Sequence, residues 1–194
     1  MSSVCRLYLE VETGPQLEGC LSEQERTAAF GMKDSEASLQ FMMRRSGLRQ
    51  ALSRELNRDP RDFEFLAGRG QKPRLASDKL EFSVSSTRGL ALIAISPSRA
   101  VGVDVEAVDA DFDYSPLLDD HFSSPEQCVL KEGDPVARCL AFFQMWTIKE
   151  AIAKACGRGI GASLREFDTL SPSNALEVAT LPLPPGFVGA LAVS

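Results

Sequence analysis

The chain has 194 residues, of which 44% are hydrophobic and 25% charged, with a formal net charge of -6. These proportions are ordinary for a globular protein of one domain or of two small halves that share a core. The acidic balance argues against a general nucleic-acid-binding protein, which is normally basic. Residues 1–14 show no leader, and no apolar run reaches the roughly 18 residues that a membrane span needs. We therefore expect neither nucleic acid nor a membrane as a partner.

The cysteine and histidine content narrows the kinds of site that the chain can form. The five cysteines are scattered and never spaced as C-x-x-C, which predicts neither a disulfide framework nor a zinc site. We interpret them as reduced thiols of a cytoplasmic protein. His121 is the single histidine, which excludes a multi-histidine metal site and disfavours a Ser-His-Asp hydrolase.

The N-terminal part predicts a strand followed by helices. Alternating apolar and polar residues predict a strand at Cys5–Val11. The S-x-x-E pattern at Ser22–Glu25 is typical of a capping box that opens a short helix. A longer helix follows and runs to about Asn57. Arg45 and Arg49 lie four residues apart and share one face of it, and a solvated helix face is the ordinary interpretation of such a pair.

The middle of the chain predicts an antiparallel meander. A Gly-rich loop at residues 68–73 precedes three strand-like runs at 80–86, 90–96 and 101–108, which short turns separate. In the third run, alternation sends Asp104 and Glu106 to one face of the strand. Carboxylates so close raise each other's pKa unless a cation offsets them, which indicates a divalent metal site. The alternative is an edge strand whose charges prevent aggregation.

The C-terminal part is predicted to return to helix after Pro116. Ser124-Pro125 and Asp134-Pro135 are each typical of a helix start with proline at the first position. The second begins the longest helix, which Gly157 can end. Further strands are predicted at 167–170, 176–181 and 187–193. Because both parts combine helices with antiparallel strands, we predict an α+β fold with a duplicated architecture.

The last turns of the longest helix carry a second group of candidate residues. Trp146, Lys149 and Glu150 fall on one side of it, where a core tryptophan and a surface charge pair are the ordinary interpretation. If this side meets the strand of Asp104 and Glu106, Glu150 adds a third carboxylate. Three oxygen ligands with water suit Mg²⁺ when a substrate supplies phosphate oxygens, and a lysine beside them suits the phosphate.

Two motifs resemble those of the 4′-phosphopantetheinyl transferases. Residues 102–106, Gly-Val-Asp-Val-Glu, are similar to the family's G-x-D-x-E, and residues 146–151, Trp-Thr-Ile-Lys-Glu-Ala, are similar to its W-x-x-K-E-A. Their separation resembles that of the surfactin-synthetase-activating, pseudo-dimeric branch. Shorter similarities follow in the family's order at residues 21–26, 45–49, 72–73, 122–126 and 154–160. Their order and spacing make the resemblance specific.

The resemblance implies an enzyme built as a pseudo-dimer, with halves at residues 1–100 and 101–194, each with antiparallel strands packed against a long helix. The implied reaction transfers the 4′-phosphopantetheine of coenzyme A to a serine of an acyl or peptidyl carrier protein and releases adenosine 3′,5′-bisphosphate. Mg²⁺ would bind Asp104, Glu106 and Glu150, while Lys149 stabilises phosphate charge. Either Glu150 or Glu126 would accept the serine proton, and the sequence does not separate them.

The resemblance also implies contacts to coenzyme A. Arg45 would bind a phosphate and Lys72-Pro73 would lie at the adenine end. The remaining implied contacts are Ser85, Ser86 and Lys149.

One position departs from the family pattern. Ser86 stands where the family has a histidine, within residues 82–89. A hydroxyl adds no positive charge, so coenzyme A affinity is expected to fall unless the nearby Arg88 compensates. This departure motivates an alternative, a weakened family member that binds coenzyme A or a carrier protein without efficient transfer. In either case we expect a cytoplasmic monomer.

Overall fold

The computed structural model describes residues 5–11, 16–66, 72–76, 80–158, 163–171 and 175–194. The glycine-rich part of the predicted loop, residues 68–71, and residues 159–160 of the last family similarity lie outside the described residues. Within those ranges, no helix is both long enough and apolar enough to span a bilayer.

Helices and antiparallel strands alternate along the described chain, and short 3₁₀ turns at Pro60–Asp62 and Ser115–Leu117 join some of them. The elements are β1 (Arg6–Val11), α1 (Gln16–Gly19), α2 (Glu23–Phe30), α3 (Ser35–Leu56), β2 (Phe65–Leu66), β3 (Arg74–Leu75), β4 (Glu81–Thr87), β5 (Leu90–Ser96), β6 (Val101–Ala107), α4 (Leu118–His121), α5 (Ser124–Lys131), α6 (Pro135–Ala155), β7 (Glu177–Thr180) and β8 (Phe187–Val193).

The predicted helices form where capping side chains satisfy their first N–H groups. Ser22 and Glu25 make both bonds of the predicted capping box at α2. The predicted start at Ser124 is displaced by one residue, because Ser123 is the N-cap of α5 and pairs with Glu126 in a second capping box. α6 begins after the N-cap Asp134, as predicted.

The first sheet has the order β1-β5-β4 and is antiparallel throughout. The predicted β4–β5 hairpin is confirmed, with Val84 opposite Ile93. On its other side β5 pairs with β1, where Tyr8 faces the same Ile93. α3 covers one face of this sheet through a buried cluster that contains Leu52, Phe82 and Ile93. This cluster forms the core of the N-terminal half.

The predicted meander is wrong in its third strand. β6 does not join β5; it pairs with β8 in a separate sheet of order β6-β8-β7, with Val103 opposite Leu191. The reason is that β1 and β4 already occupy both edges of β5, so no backbone edge is left for β6. β6 instead begins the second sheet at the junction of the two.

The predicted strand at residues 167–170 is absent, and turns and bends stand there. Buried side chains take the backbone groups that a strand would use: the Phe167 carbonyl accepts from Lys149, and the Thr169 N–H donates to Glu126. The two remaining predicted strands correspond to β7 and β8. The fold is thus a mixed α/β arrangement with antiparallel sheets and a long helix on the second of them, and the division at residue 100 remains a prediction.

Candidate active site

A close contact between β6 and α6 sets the position of the candidate site. A Cβ at Gly102 would lie 1.9 Å from the Ala151 carbonyl oxygen and 2.5 Å from the Ala155 nitrogen. Only glycine therefore allows the strand to lie this close to the helix backbone. The approach brings Glu150, the neighbour of Ala151, within electrostatic range of Asp104 on β6.

Asp104 lies at the centre of the site and is only 3% exposed. Its Oδ1 accepts hydrogen bonds from Ser85 Oγ at 2.7 Å and from Lys154 Nζ at 2.5 Å. Its Oδ2 is buried and has no hydrogen-bond partner among the described residues. A buried carboxylate oxygen without a partner is costly, so a cation is the ligand that its chemistry favours.

Glu106 and Glu150 add two further carboxylates beside Asp104. Burial, reinforced by the negative charges of Asp104 and Glu150, raises the pKa of Glu106 to about 7. Burial also raises the pKa of Glu150, with Asp104 adding to the rise and the Lys154 ammonium opposing it. The carboxylates therefore experience one another's charge, which a divalent cation would offset.

The three carboxylates fit Mg²⁺ chemically, since this ion prefers oxygen ligands and retains several waters. In the part of the chain that the structure describes, however, no group of three or more His, Cys, Asp or Glu side chains is already arranged to hold a metal ion. The Lys154 ammonium rests on Asp104 instead. The orphaned Asp104 Oδ2 is the specific feature that supports metal binding, with Glu106 and Glu150 as the further ligands.

Lys154 lies among the candidate carboxylates, although no role is predicted for it from the sequence. Its Nζ donates to Asp104 Oδ1, and it also lies 3.3 Å from both the Val103 carbonyl oxygen and Ser85 Oγ. A signal for it exists in the sequence, because it follows Glu150 by four residues and so shares its helix face. It places positive charge among the three carboxylates.

Lys149 is paired with Glu126 rather than with the cluster of Asp104, Glu106 and Glu150. This arrangement is contrary to the prediction that Lys149 binds phosphate. Its ammonium is fully buried and contacts Glu126 Oε2 at 2.9 Å. It also donates to the carbonyl oxygens of Leu164 at 3.2 Å and Phe167 at 2.5 Å. Burial lowers the pKa of Lys149, while the Glu126 carboxylate opposes that shift. Because these three acceptors take all its protons, Lys149 has none left for a phosphate.

Glu126 is equally engaged, so its predicted part as a proton acceptor does not fit this geometry. Oε2 accepts from the Ser123 N–H at 2.8 Å, and Oε1 accepts from the Thr169 N–H and hydroxyl at 2.8 and 2.7 Å. Although burial alone would raise its pKa, hydrogen bonds from Lys149 and Thr169 hold the pKa of Glu126 below its usual range. The Glu126–Lys149 pair links α5 to α6, and its further hydrogen bonds link both helices to the segment after residue 163.

Arg45 and Arg49 of α3 both turn to Glu25 of α2. Arg49 is 3% exposed, binds Glu25 Oε2 through Nε at 2.7 Å, and donates to two carbonyls of the loop after α3 at 2.7 and 3.0 Å. The interpretation of the pair as a solvated face is therefore wrong for Arg49. Arg45 lies 3.7 Å from Glu25 Oε1 and 5.3 Å from the Phe65 ring centroid. Burial lowers the pKa of Arg45, and its looser contacts leave it able to meet a ligand.

The predicted coenzyme A contacts on the loop and on β4 have different partners in the structure. Lys72 Nζ donates to the Val101 carbonyl at 2.8 Å, at the start of β6, and Pro73 beside it is half-buried. Ser85 faces Asp104. Ser86 points the other way, since alternation along β4 places it on the side of Phe82, and its buried Oγ has no partner in the described part of the chain.

A cavity of about 330 Å³ opens beside Glu106. Its wall includes four aromatic side chains, Trp146 and Phe142 among them, and also Arg88, which lies 3.5 Å from Asp109. Trp146 thus lines a cavity as well as packing in the core. The lining residues are Thr87, Arg88, Glu106, Ala107, Asp109, Phe112, Leu117, Phe142, Phe143 and Trp146.

Comparison with known proteins gives a consistent set of similarities. Residues 100–183 match the family model described as the 4′-phosphopantetheinyl transferase superfamily. The chain is 31% identical over 171 residues to the 4′-phosphopantetheinyl transferase HetI of Nostoc sp., which covers 86% of this chain and 72% of that protein. It is 31% identical over 126 residues to the 4′-phosphopantetheinyl transferase AcpT of Salmonella typhi, covering 64% of each.

A Synechocystis sp. protein provisionally named a 4′-phosphopantetheinyl transferase is 28% identical over 155 residues. The match covers 78% of this chain but 63% of that relative's length.

Proposed function

The chain belongs to the 4′-phosphopantetheinyl transferase superfamily, and from this premise we propose that it transfers 4′-phosphopantetheine from coenzyme A to a serine of an acyl or peptidyl carrier protein. The observation that carries the proposal is the cluster of Asp104, Glu106 and Glu150, with one buried Asp104 oxygen unpartnered in the described structure. Such a cluster suits a Mg²⁺-dependent reaction at a pyrophosphate. The proposed subtype is the pseudo-dimeric, surfactin-synthetase-activating one.

The reaction exchanges one phosphorus–oxygen bond for another. The serine oxygen attacks the phosphorus that carries the pantetheine, and the anhydride bond to the second phosphorus breaks. Adenosine 3′,5′-bisphosphate leaves, while the serine hydroxyl gives up its proton. When bound, Mg²⁺ supplies positive charge to the pyrophosphate oxygens as the anhydride breaks.

The protein's own residues hold the metal and handle the proton. In our proposal Asp104, Glu106 and Glu150 are the metal ligands. Glu150 is also the base for the serine proton, directly or through a water, because it is half-buried at the site whereas Glu126 is enclosed by four hydrogen-bond donors. Lys154 adds positive charge where the phosphates would lie.

The N-terminal half is proposed to bind the rest of coenzyme A. Arg45 is the candidate for a phosphate, and Lys72-Pro73 is the candidate for the adenine end. Lys72 supports this placement because its ammonium reaches the first residue of β6, the strand that carries the carboxylates. We further propose a cytoplasmic monomer.

The decisive experiment is transfer to a carrier protein. The protein is incubated with coenzyme A, Mg²⁺ and a panel of apo carrier proteins, and each carrier is weighed by mass spectrometry for the added arm. A known transferase serves as the positive control, and the Asp104→Ala variant serves as the negative control. Added mass with the wild type but not with Asp104→Ala is expected.

The alternative function, a weakened family member that binds coenzyme A without efficient transfer, would give a different set of results. It would show coenzyme A binding by calorimetry that is indifferent to Mg²⁺ and to Asp104→Ala, with no added mass on any carrier. That combination would refute the proposed transfer while leaving coenzyme A binding in place.

A further inference from the structure

Hydroxyl side chains of β4 face β6 across the junction of the two sheets. The inward positions alternate along β4 and carry Ser83, Ser85 and Thr87, all of them buried. Two of these hydroxyls accept backbone N–H groups of β6: Ser83 Oγ accepts from Val103 at 3.1 Å, and Thr87 Oγ1 accepts from Ala107 at 3.2 Å. Side chains thus replace the backbone ladder at this junction.

The middle hydroxyl of this row differs from its neighbours. Ser85 Oγ donates its proton to Asp104 Oδ1 at 2.7 Å, and it lies 3.3 Å from Lys154 Nζ, from which it can only accept. Its single proton and one lone pair are therefore used inside the protein. Little hydrogen-bonding capacity remains for a substrate, which disagrees with the expectation that Ser85 contacts coenzyme A.

We propose that Ser85 is a positioning residue for the metal site, which fixes the Asp104 carboxylate so that Oδ2 alone faces the cation. The Ser85 bond and the Lys154 ammonium both hold Oδ1, and the carboxylate plane is thereby set with Oδ2 buried and free of partners in the described structure. Such outer contacts orient ligands and commonly change metal affinity 10–100-fold when removed, an order-of-magnitude range. The inference rests on the metal site of the proposed function.

This arrangement assigns a second task to the N-terminal half. β4 belongs to the first sheet and Asp104 to the second. The orientation of a proposed metal ligand in the second sheet therefore depends on a serine in the first. A substitution in β4 should then alter metal binding although β4 holds none of the proposed ligands.

The test compares metal affinity and coenzyme A affinity separately. Binding of Mn²⁺ alone is measured by electron paramagnetic resonance of the free ion, and coenzyme A binding is measured by calorimetry in EDTA. Ser85→Ala is expected to weaken Mn²⁺ binding by about 10-fold or more, with metal-free coenzyme A binding unchanged within about twofold. If Ser85 instead contacts coenzyme A directly, Ser85→Ala would weaken metal-free coenzyme A binding and leave Mn²⁺ affinity unchanged. That result would overturn the proposal.

Matched variants separate positioning from general damage to the junction. Ser83→Ala removes a hydroxyl of the same row that, within the described residues, accepts from the backbone N–H of Val103 and makes no hydrogen bond to Asp104, and it should leave Mn²⁺ affinity within about twofold of the wild type. Ser85→Thr and Ser85→Val differ only in a hydroxyl against a methyl, so Thr should retain most of the affinity and Val should lose it. Equal affinities for this pair, or an equal loss in Ser83→Ala, would refute the positioning role.

The outcomes also distinguish this inference from the proposed function. If the wild type binds no Mn²⁺, both the metal site and the positioning role are refuted. If the wild type binds Mn²⁺ and Ser85→Ala does not, but no carrier protein is modified, the transfer reaction alone fails.

Discussion

Replacing Glu106 with glutamine is expected to stabilise the metal-free protein at pH 8 and to stabilise it much less at pH 5. Burial, together with the charges of Asp104 and Glu150, raises the pKa of Glu106 from the ordinary 4.5 to about 7. A carboxyl whose pKa is raised by folding costs nothing while it is protonated in both states. The folded state loses stability as the pH rises from about 4.5 through about 7, because the unfolded chain ionises first.

The magnitude follows from the size of the shift. Each pKa unit corresponds to about 1.4 kcal/mol, so the full shift sets an upper bound of about 3 kcal/mol. Glu106 is half-buried, and solvent screening reduces the cost to roughly 1–2 kcal/mol. Glu106→Gln removes the charge and should raise the melting temperature at pH 8 by about 2–4 °C for each kcal/mol recovered.

The assay is thermal unfolding by calorimetry in EDTA at pH 5 and pH 8. Glu177→Gln is the control, because this glutamate lies on β7 with its side chain 78% exposed, and it should show no comparable difference between the two pH values. Adding Mg²⁺ at pH 8 should stabilise the wild type more than Glu106→Gln, since the variant lacks a ligand. A variant that is no more stable than the wild type at pH 8 would show that Glu106 is not held among like charges.

Three further predictions test the rest of the structure. Gly102→Ala should cost at least about 3 kcal/mol in urea unfolding, because its Cβ would overlap the α6 backbone; a cost below about 1 kcal/mol would contradict the close contact. Lys149→Met should cost about 3–5 kcal/mol by leaving Glu126 buried without its partner, and adding Glu126→Gln should restore part of the loss. If Lys149 were a phosphate contact, Lys149→Met would lower the transfer rate and leave the free energy of unfolding unchanged. Arg45→Ala should raise the KM for coenzyme A with little change in melting temperature. Arg49→Ala should instead lower the melting temperature, because it removes three hydrogen bonds that are buried or partly buried. Equal effects of the two variants on both quantities would show that the two arginines have the same role.

Local features of the site were predictable because they depend on neighbours in sequence. The two-residue period of a strand was enough to place Asp104 and Glu106 on one face of β6, and the capping box at Ser22–Glu25 was enough to predict where α2 begins. The Asp134-Pro135 start signal and the glycine at 157 likewise predicted a long helix, and α6 runs from Pro135 to Ala155.

The roles of neighbouring helix residues were not predictable in the same way. Lys149 and Glu150 are adjacent, and successive residues of an α-helix point about 100° apart. Which of the two faces β6 depends on the rotation of α6, and the contact at Gly102 sets that rotation. The motif resemblance therefore led to Lys149, whereas the geometry puts Lys154 at the carboxylates.

The sequence by itself determined the secondary structure near the site, the strand carboxylates and the family. Tertiary structure alone decided the pairing of β6, because whether β5 has a free edge depends on where β1 lies, some 80 residues earlier in the chain. It also decided that Ser85 meets Asp104 while Ser86 turns away, because both are similar residues on one strand and only the partner sheet distinguishes their two faces. Contacts between distant segments have no local signal, and the site is made of such contacts.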